Sequence, residues 1–154
     1  MAVTVSGLYV ATFADVLDTT QLAVDLDLET HKGALFNNSI TPNFVTDTAF
    51  GVAPYNANEV FGTGWATGGV VLTGTTFDVA SISGTLVYDA TDVSVAGTTL
   101  TNARCYMLYA DALAGNNAIV LVNFGADFST VNGTFGIQWA APASGGVFNI
   151  DLTP

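Results

Sequence analysis

The feature of this sequence that most constrains its fold is a succession of short apolar or alternating runs, interrupted throughout by Gly, Asn, Asp, Thr and Ser. The runs are rich in Val, Ile, Thr, Phe and Tyr, which suit the pleated surface of a sheet. Strands are predicted near residues 3–10, 22–28, 33–36, 69–73, 76–79, 85–88, 93–95, 105–109, 119–124, 134–139 and 147–152. Weak helical patterns occur only at residues 12–20 and, as a turn, at 109–113. Many short strands with frequent turns predict an all-β, antiparallel sandwich or jelly-roll-like fold.

The length of 154 residues suits a single domain, and no repeat or linker divides the chain. The longest stretch without a clear strand pattern is residues 37–64, which Pro42 and Pro54 interrupt. A loop of this length in a compact domain usually has a function or forms an interface, so it is the predicted binding surface. The N-terminal residues 1–29 either fold on their own domain or reach a neighbouring molecule as an arm.

The charge of the chain is strongly one-sided. Thirteen acidic residues face two basic ones, Lys32 and Arg104, which gives a formal net charge of −11. Without clusters of Lys and Arg, binding to nucleic acid or to an anionic membrane is not expected. Hydrophobic residues make up 50% of the chain, yet no apolar run is long enough for a membrane helix. The excess apolarity predicts a core plus a protein–protein interface, and the N-terminus lacks the pattern of a secretion signal.

The segment GTGWATGG, residues 62–69, places a tryptophan among glycines and hydroxyl residues. A P-loop requires a lysine after its last glycine, and a dinucleotide-binding loop requires a following helix. Here no lysine follows, and the glycines lead into the strand-like run VVL. The segment is therefore predicted to be a turn into a strand, where glycine supplies positive φ angles. Trp65 is then an anchor in the core or at its rim.

The segment DLDLE, residues 25–29, alternates acidic and apolar side chains. In a strand, Asp25, Asp27 and Glu29 would share one face. Such a row is typical of the wet face of an amphipathic strand, where charge protects an edge from mispairing. Carboxylates are also ligands for Ca²⁺, so the sequence leaves a Ca²⁺ site open at this row. No metal or cofactor is predicted.

Residue patterns for catalysis are scarce. The single histidine, His31, lies in the turn-like THKG, and no serine lies in a GxSxG motif. A zinc site would need more His or Cys than the sequence contains. Two of the thirteen acidic residues could form a hydrolytic pair, but no spacing identifies them. The chain is therefore predicted not to be an enzyme.

The only cysteine, Cys105, follows one of the two basic residues, Arg104, in the strand-like run RCYMLY. Cys105 is predicted to be a buried free thiol. Arginine forms bidentate pairs with carboxylates at partly buried positions. We expect a structural ion pair between Arg104 and Asp89 or Asp92 of the YDATD segment, with an interfacial contact as the alternative.

Three blocks of the sequence resemble, in order and in spacing, a family of small structural proteins of tailed bacteriophages. The blocks are NEVFGTGWATGGVVL, LVYDATDVSVAGTTLTNARCYMLYAD and AIVLVNFGADFSTVNGTFGIQWAA. The family patterns they resemble are NEV.GTGY..GG..L, DA.DV......T.T.ARY...Y and I..VDFG.D.S...G.F.I.W. The resemblance covers about residues 30–150. The chain departs from these patterns at Phe61 (a small residue in the family), Trp65 and Cys105 (both Tyr) and Asn123 (Asp).

The resemblance implies a structural protein of a virion. Because the chain is acidic and poor in lysine, the outside of a shell suits it better than the DNA-filled interior. We expect a capsid decoration protein that binds the major capsid protein as a homotrimer on the capsid exterior, after assembly in the host cytoplasm. The alternatives are a minor tail or head–tail junction protein, and a displayed module that binds host glycans. Tyr55, Phe61 and Trp65 are the predicted contact residues, because aromatic residues are common interface anchors.

Overall fold

The computed structural model describes residues 2–18, 22–79 and 84–152, and this part of the chain contains one α-helix and nine β-strands. The helix α1 spans Val10–Leu17. The strands are β1 (Gly7–Leu8), β2 (His31–Phe36), β3 (Glu59–Val60), β4 (Val70–Val71), β5 (Thr76–Val79), β6 (Thr85–Asp89), β7 (Val93–Ala110), β8 (Ala118–Ile137) and β9 (Phe148–Asp151). The predicted all-β class is confirmed. None of the helices in the described residues is long and apolar enough to cross a membrane.

The strands form two antiparallel sheets. The larger sheet has the order β1-β8-β7-β2-β3, with β4 also paired to β2. The smaller sheet has the order β5-β6-β9. Strand β2 is central, because it pairs with β7 along its whole length and with β3 and β4 at its other edge.

The hairpin of β7 and β8 is the largest element, and the sequence predicted each of its strands as two separate ones. The prediction is wrong because the interruptions are bulges within continuous strands rather than turns between strands. Four register shifts lie between Val95 and Cys105. Gly97, Asn102, Gly125 and Asn132 adopt positive φ angles along the same stretch, and such residues allow a ladder to bend without ending.

The hairpin therefore has two parts. We call residues 105–110 with 118–123 the root, and residues 97–103 with 125–133 the bend. A straight strand from residue 124 to residue 135 would span about 36 Å. The ring centroids of Phe124 and Phe135 are only 6.2 Å apart, so β8 folds over on itself at the bend. This fold brings the far end of the hairpin onto the same core as the root.

Hydroxyl groups supply hydrogen bonds in the bend where the register is disturbed. The Thr98 hydroxyl lies 2.9 Å from the Thr130 hydroxyl and 3.1 Å from the carbonyl oxygen of Gly133. The amide of Leu100 donates to the Thr130 hydroxyl oxygen at 3.2 Å. Because a buried backbone group needs a partner, these side chains hold the two strands together across the bulges.

The larger sheet is covered on both faces, which produces two cores. The first core lies against the smaller sheet and includes Leu35, Trp65, Tyr88, Tyr106, Leu108, Phe135 and Phe148. The second core lies on the opposite face and includes Val3, Tyr9, Phe36, Ile40, Tyr55, Cys105, Met107 and Leu121. Alternate residues of β2 and of the root enter opposite cores, so residues 105–110 are all buried. Such strands read as continuous apolar runs.

The long loop and the N-terminal segment form the cover of the second core. Ile40 and Tyr55 of the loop are buried, as are Val3 and Tyr9 of the N-terminal segment. The Tyr9 hydroxyl donates to the Tyr55 hydroxyl at 2.6 Å, and the Tyr55 hydroxyl lies 3.0 Å from Oδ2 of Asp47. In this structure the N-terminal segment thus packs on its own domain, and the loop contributes to the core of the domain.

Three other predicted elements differ from the structure. Residues 3–10 were predicted as one strand, but only Gly7–Leu8 is a strand, and a helix begins at Val10. The helix predicted at residues 12–20 spans Val10–Leu17, and Thr19 and Thr20 lie outside the described residues. Residues 22–28 were predicted as a strand but form an irregular segment and a turn. The turn forms because the Asp25 carboxylate accepts backbone hydrogen bonds that a strand partner would otherwise make.

Candidate functional site

The GTGWATGG segment is a turn closed by backbone hydrogen bonds. Gly62 and Trp65 exchange both of their backbone hydrogen bonds, at 2.8 and 3.0 Å. The amide of Gly68 donates to the Glu59 carboxylate at 2.6 Å, so a negative side chain occupies the position that a phosphate would need. A Cβ at Gly69 would collide with the backbone of Gly33, so this glycine permits a close approach to β2. The geometry agrees with the predicted turn into a strand.

Two of the three predicted contact residues are buried, so this part of the prediction is wrong. Trp65 has no exposed surface and packs edge-on against Phe135 at 5.5 Å. Tyr55 is buried in the second core. Both rings therefore pack inside the domain itself, Trp65 in the first core and Tyr55 in the second. Phe61 is 58% exposed, so it remains a predicted contact residue.

The predicted ion pair of Arg104 has a different partner. Nη1 of Arg104 lies 3.4 Å from Oδ1 of Asp127, which lies across the hairpin on β8, and neither Asp89 nor Asp92 makes this pair. Asp92 instead accepts a hydrogen bond from the Trp139 amide at 2.9 Å. The sequence suggested a partner close in the chain, whereas hairpin pairing brings residue 127 to residue 104.

His31 and Cys105 are both buried, which limits their chemistry. Nδ1 of His31 lies 3.1 Å from the Tyr88 hydroxyl, and burial lowers the pKa of His31, opposed by Glu29 and Asp25. Cys105 is the buried free thiol that the sequence predicts. Burial raises the pKa of the Cys105 thiol to about 12, although Arg104 and the backbone oppose the shift. Neither group is placed as an accessible nucleophile or base.

The acidic segment at residues 25–29 is a turn whose carboxylates serve the chain itself. Oδ1 of Asp25 accepts hydrogen bonds from the amides of Asp27 and Leu28, both at 3.0 Å. These two bonds hold the pKa of Asp25 below its usual value. Oε2 of Glu29 accepts a hydrogen bond from the Asp25 amide at 3.1 Å. Across residues 2–18, 22–79 and 84–152, no group of three His, Cys, Asp or Glu side chains is placed to hold a metal ion.

The same turn forms one side of a groove between α1 and the smaller sheet, with a volume of about 830 Å³. Most of its lining is apolar and comes from α1 and from residues 23–29, with single residues of β5, β6, β8 and β9 and Leu152 also contributing. The apolar lining residues are Phe13, Val16, Leu17, Ala23, Val24, Leu26, Phe77, Leu86, Ile119, Ile150 and Leu152. The polar lining residues are Thr12, Asp25, Asp27 and Glu29. We call this cavity the acidic groove.

A second groove follows the inner side of the bend in β8. It has a volume of about 590 Å³, and its aromatic lining residues are Phe124, Phe128, Phe135 and Trp139. Phe128 is 49% exposed, whereas Phe135 belongs to the first core. The two ring contacts of Phe124, with Phe128 at 6.0 Å and with Phe135 at 6.2 Å, show that this groove is a consequence of the bend.

The sequence drew attention to the acidic segment at residues 25–29, although as the face of a strand rather than a turn, and it did not indicate the groove beside this segment. Five of the thirteen acidic residues fall between positions 15 and 29, namely Asp15, Asp18, Asp25, Asp27 and Glu29. This concentration of charge beside a weak helical pattern was the available signal. The apolar side of the groove gave no signal of its own, because its residues come from distant parts of the chain.

Comparisons with protein-family models, with curated proteins and with solved structures found no match to this chain.

Proposed function

We propose that this chain is a structural protein of a tailed-bacteriophage virion. Within that class, we propose a capsid decoration protein that binds the outer surface of the major capsid protein lattice and stabilises it. The observation that carries the proposal is the resemblance of three sequence blocks, which keep their order and spacing over about residues 30–150. The role is one of binding rather than catalysis.

The structure supports treating the three blocks as one unit, because they meet in space. The first block contributes Trp65, which contacts Phe135 of the third block at 5.5 Å. The Thr99 amide of the second block donates to the carbonyl oxygen of Thr63 in the first at 3.0 Å. The second and third blocks supply β7 and β8, which pair with each other. A pattern shared across these blocks would thus describe one folded body.

The surface charge also supports a role on the outside of a shell. The only two basic side chains are both in ion pairs, Lys32 with Asp111 at 3.0 Å and Arg104 with Asp127 at 3.4 Å. The net charge of −11 gives the surface little affinity for packaged DNA. A protein that binds only the assembled lattice stabilises that lattice by mass action. The two-sided core suits such a rigid attachment.

The proposed partner is the major capsid protein, and the proposed oligomer is a homotrimer at three-fold positions of the lattice. Lattice symmetry motivates this stoichiometry, because a three-fold position offers three equivalent binding surfaces. The proposed location is the capsid exterior, reached after assembly in the host cytoplasm.

The number of copies per particle tests the proposal. Quantitative mass spectrometry of purified particles would count this chain against the major capsid protein. A ratio near one, or a fixed large fraction of it, is the expected result for a decoration protein. About six or twelve copies would instead support a minor tail or head–tail junction protein, which closed-ring symmetry favours. Absence from particles would overturn the structural role.

The glycan-binding alternative loses its proposed contacts in this structure. It relied on Tyr55 and Trp65 to stack on sugars, and both rings are buried. The catalytic alternative loses its histidine in a similar way, because the ring of His31 is buried beside Tyr88. We therefore retain the decoration role first and the tail or junction role second.

A further inference from the structure

We infer that the acidic groove is the docking site for a basic peptide segment of a partner protein, one that inserts an apolar side chain between flanking Lys or Arg residues. The identity of that partner as the shell protein rests on the proposed function. The groove and the chemistry of its occupant follow from the described residues alone.

The apolar lining of the groove is the reason to expect an apolar side chain in the segment that binds there. The groove is lined mainly by apolar side chains and has the size of a typical ligand pocket. Leu17 and Leu152 at its sides are 84% and 66% exposed, and Leu28, next to the lining residue Asp27, is 84% exposed. Large apolar side chains clustered around an open groove are typical of a protein-binding surface.

The distribution of charge explains the basic part of the occupant. Three residues of the groove lining are acidic, Asp25, Asp27 and Glu29, and neither Lys32 nor Arg104 is among the lining residues. Two further acidic residues, Asp15 and Asp18, lie nearby in the sequence, on α1 and directly after it. Residues 1, 19–21, 80–83 and 153–154 carry no charged side chain, so they do not alter this balance. A basic segment is attracted to such a surface, and an acidic one is repelled.

The same charge argues against a second copy of this chain as the occupant. Every copy carries a formal net charge of −11, and its two cations already have carboxylate partners. Another copy would therefore bring uncompensated acidic surface to an acidic groove. A partner with exposed Lys or Arg satisfies both the charge and the apolar lining.

The carboxylates of the turn at residues 25–29 are held in place before any partner arrives. Asp25 accepts two backbone hydrogen bonds within the turn, and Glu29 accepts one from Asp25. Fixed groups lose little conformational freedom on binding, which favours affinity. Each carboxylate has further lone pairs that can accept hydrogen bonds from a Lys or Arg head group.

The experiment measures binding of short fluorescein-labelled peptides to the full-length protein by fluorescence anisotropy. The first probe alternates Lys and Leu. The second alternates Glu and Leu, which keeps the apolar content and reverses the charge. The third alternates Lys and Ser, which keeps the charge and removes the apolar side chains. We expect the Lys–Leu peptide to bind more tightly than either control.

A matched pair of charge variants locates the binding. The triple variant Asp25→Asn, Asp27→Asn and Glu29→Gln removes three charges and retains an oxygen acceptor at each position. The control variant Glu59→Gln, Asp89→Asn and Asp92→Asn removes three charges elsewhere. We expect the triple variant to weaken Lys–Leu binding about tenfold, since each exposed ion pair contributes modestly. The control variant should weaken it much less.

A second pair of variants tests the apolar lining without disturbing the core. Leu17→Asn with Leu152→Asn changes two exposed side chains of the groove. Val45→Asn with Val131→Asn changes two exposed side chains elsewhere, which are 66% and 86% exposed. We expect only the first pair to weaken Lys–Leu binding, while circular dichroism remains the same for both.

Three outcomes would overturn the inference. Equal affinity for the charge variant and its control would mean that the peptide binds the whole acidic surface. Concentration-dependent self-association that Leu17→Asn with Leu152→Asn abolishes would identify a second copy as the occupant. Absence of peptide binding, together with a lower melting temperature for Leu17→Asn, would mean that the chain fills its own groove.

The failure of this inference is distinguishable from failure of the proposed function. If particles contain many copies of the chain and the triple variant attaches to them as well as the unmodified protein, the groove is not the docking site and the decoration role stands. If the groove binds the Lys–Leu peptide but particles contain no copy of the chain, the decoration role fails and the groove needs another partner.

Discussion

The root and the bend belong to the same hairpin, yet they are held together in different ways. The root has a regular register over Cys105–Leu108 paired with Asn123–Val120, and residues 105–110 are all buried. The bend has shifted register, positive φ angles and mostly exposed residues on its β8 side. Burial of apolar side chains stabilises the root, whereas hydroxyl hydrogen bonds and special backbone angles maintain the bend.

The difference shows how a long hairpin can serve two layers of a fold. Two-sided burial requires the root to stay straight, because other elements cover both of its faces. Strand pairing in the bend is irregular, and this irregularity allows the far end of the hairpin to reach the first core. Substitutions in the root and in the bend should therefore lower the free energy of unfolding by different amounts.

The largest expected effect concerns the Cys105 thiol in the root. Burial raises its pKa to about 12. At about pH 8 the thiolate is then about a thousandfold rarer than in the unfolded chain, whose thiol has a pKa of about 8.5. We expect the folded protein to react with a disulfide reagent at least about a thousandfold more slowly than the same protein in guanidinium. Similar rates in both states would show that the root opens readily.

The same shift has a consequence for stability at high pH. The folded state keeps the Cys105 thiol protonated. The contribution of this thiol to the free energy of unfolding is therefore fully present below the thiol pKa of the unfolded chain. The contribution is lost as pH rises from about 9 toward 12, with a slope of about 1.4 kcal/mol per pH unit. Over that pH range, urea denaturation should show that the free energy of unfolding falls less steeply with pH for Cys105→Ala than for the unmodified protein.

The next effect compares a core leucine of the root with an exposed valine of the bend. Leu108 is fully buried in the first core, and Val131 is 86% exposed. Leu108→Ala should lower the free energy of unfolding by about 2–5 kcal/mol, because it leaves a cavity. Val131→Ala should change it by less than about 0.5 kcal/mol. Equal costs in urea denaturation would contradict the contrast between root and bend.

A third comparison uses two glycines that serve different purposes. The hydroxyl end of the Tyr106 side chain lies over Gly33 of β2, so a Cβ there would overlap the Cζ and Oη atoms of Tyr106. Gly97 in the bend has open space around it but a φ of 69°. We expect Gly33→Ala to destabilise the protein by about 3 kcal/mol through overpacking. Gly97→Ala should cost about 1–2 kcal/mol through backbone strain alone. Gly97→Asn should recover part of that loss, whereas no such rescue is expected at Gly33.

A smaller effect tests the hydroxyl hydrogen bonds of the bend. Thr98 is fully buried, and its hydroxyl contacts the Thr130 hydroxyl and the carbonyl of Gly133. Thr98→Val keeps the shape and removes those bonds, so we expect a loss of about 1–3 kcal/mol. Thr101→Val at an exposed position of the same strand is the control. Equal stability of the two variants would mean that the hydroxyls do not maintain the bend.

The smallest effect concerns the ion pair that links the two strands between root and bend. The Asp127 side chain is 42% exposed, and its contact with Arg104 is 3.4 Å long. Asp127→Asn should cost less than about 1 kcal/mol, because water and salt screen such pairs. The cost should shrink further at about 1 M salt. A larger cost that salt does not change would indicate a buried role for Arg104.

Local signals in the sequence predicted those parts of the fold that depend on neighbouring residues. β-branched and aromatic runs identified β2, β5, β6 and β9 to within a few residues, and the glycines of residues 62–69 identified a turn. Cys105 was correctly predicted to be buried. Parts that depend on distant residues were missed, such as the continuity of β7 and β8, the Arg104–Asp127 pair and the burial of Tyr55.

The sequence by itself determined the all-β class, the acidic surface and most strand positions, because side-chain alternation and composition act locally. Only the tertiary structure decided that Asp25 turns the chain instead of continuing a strand, and that the 37–58 loop covers a second core. It also decided that an apolar groove lies beside the three carboxylates of residues 25–29. The physical reason is that bulges, buried loops and grooves arise from packing between segments that lie far apart in the chain. Such packing produces no periodic pattern in the sequence of any single segment.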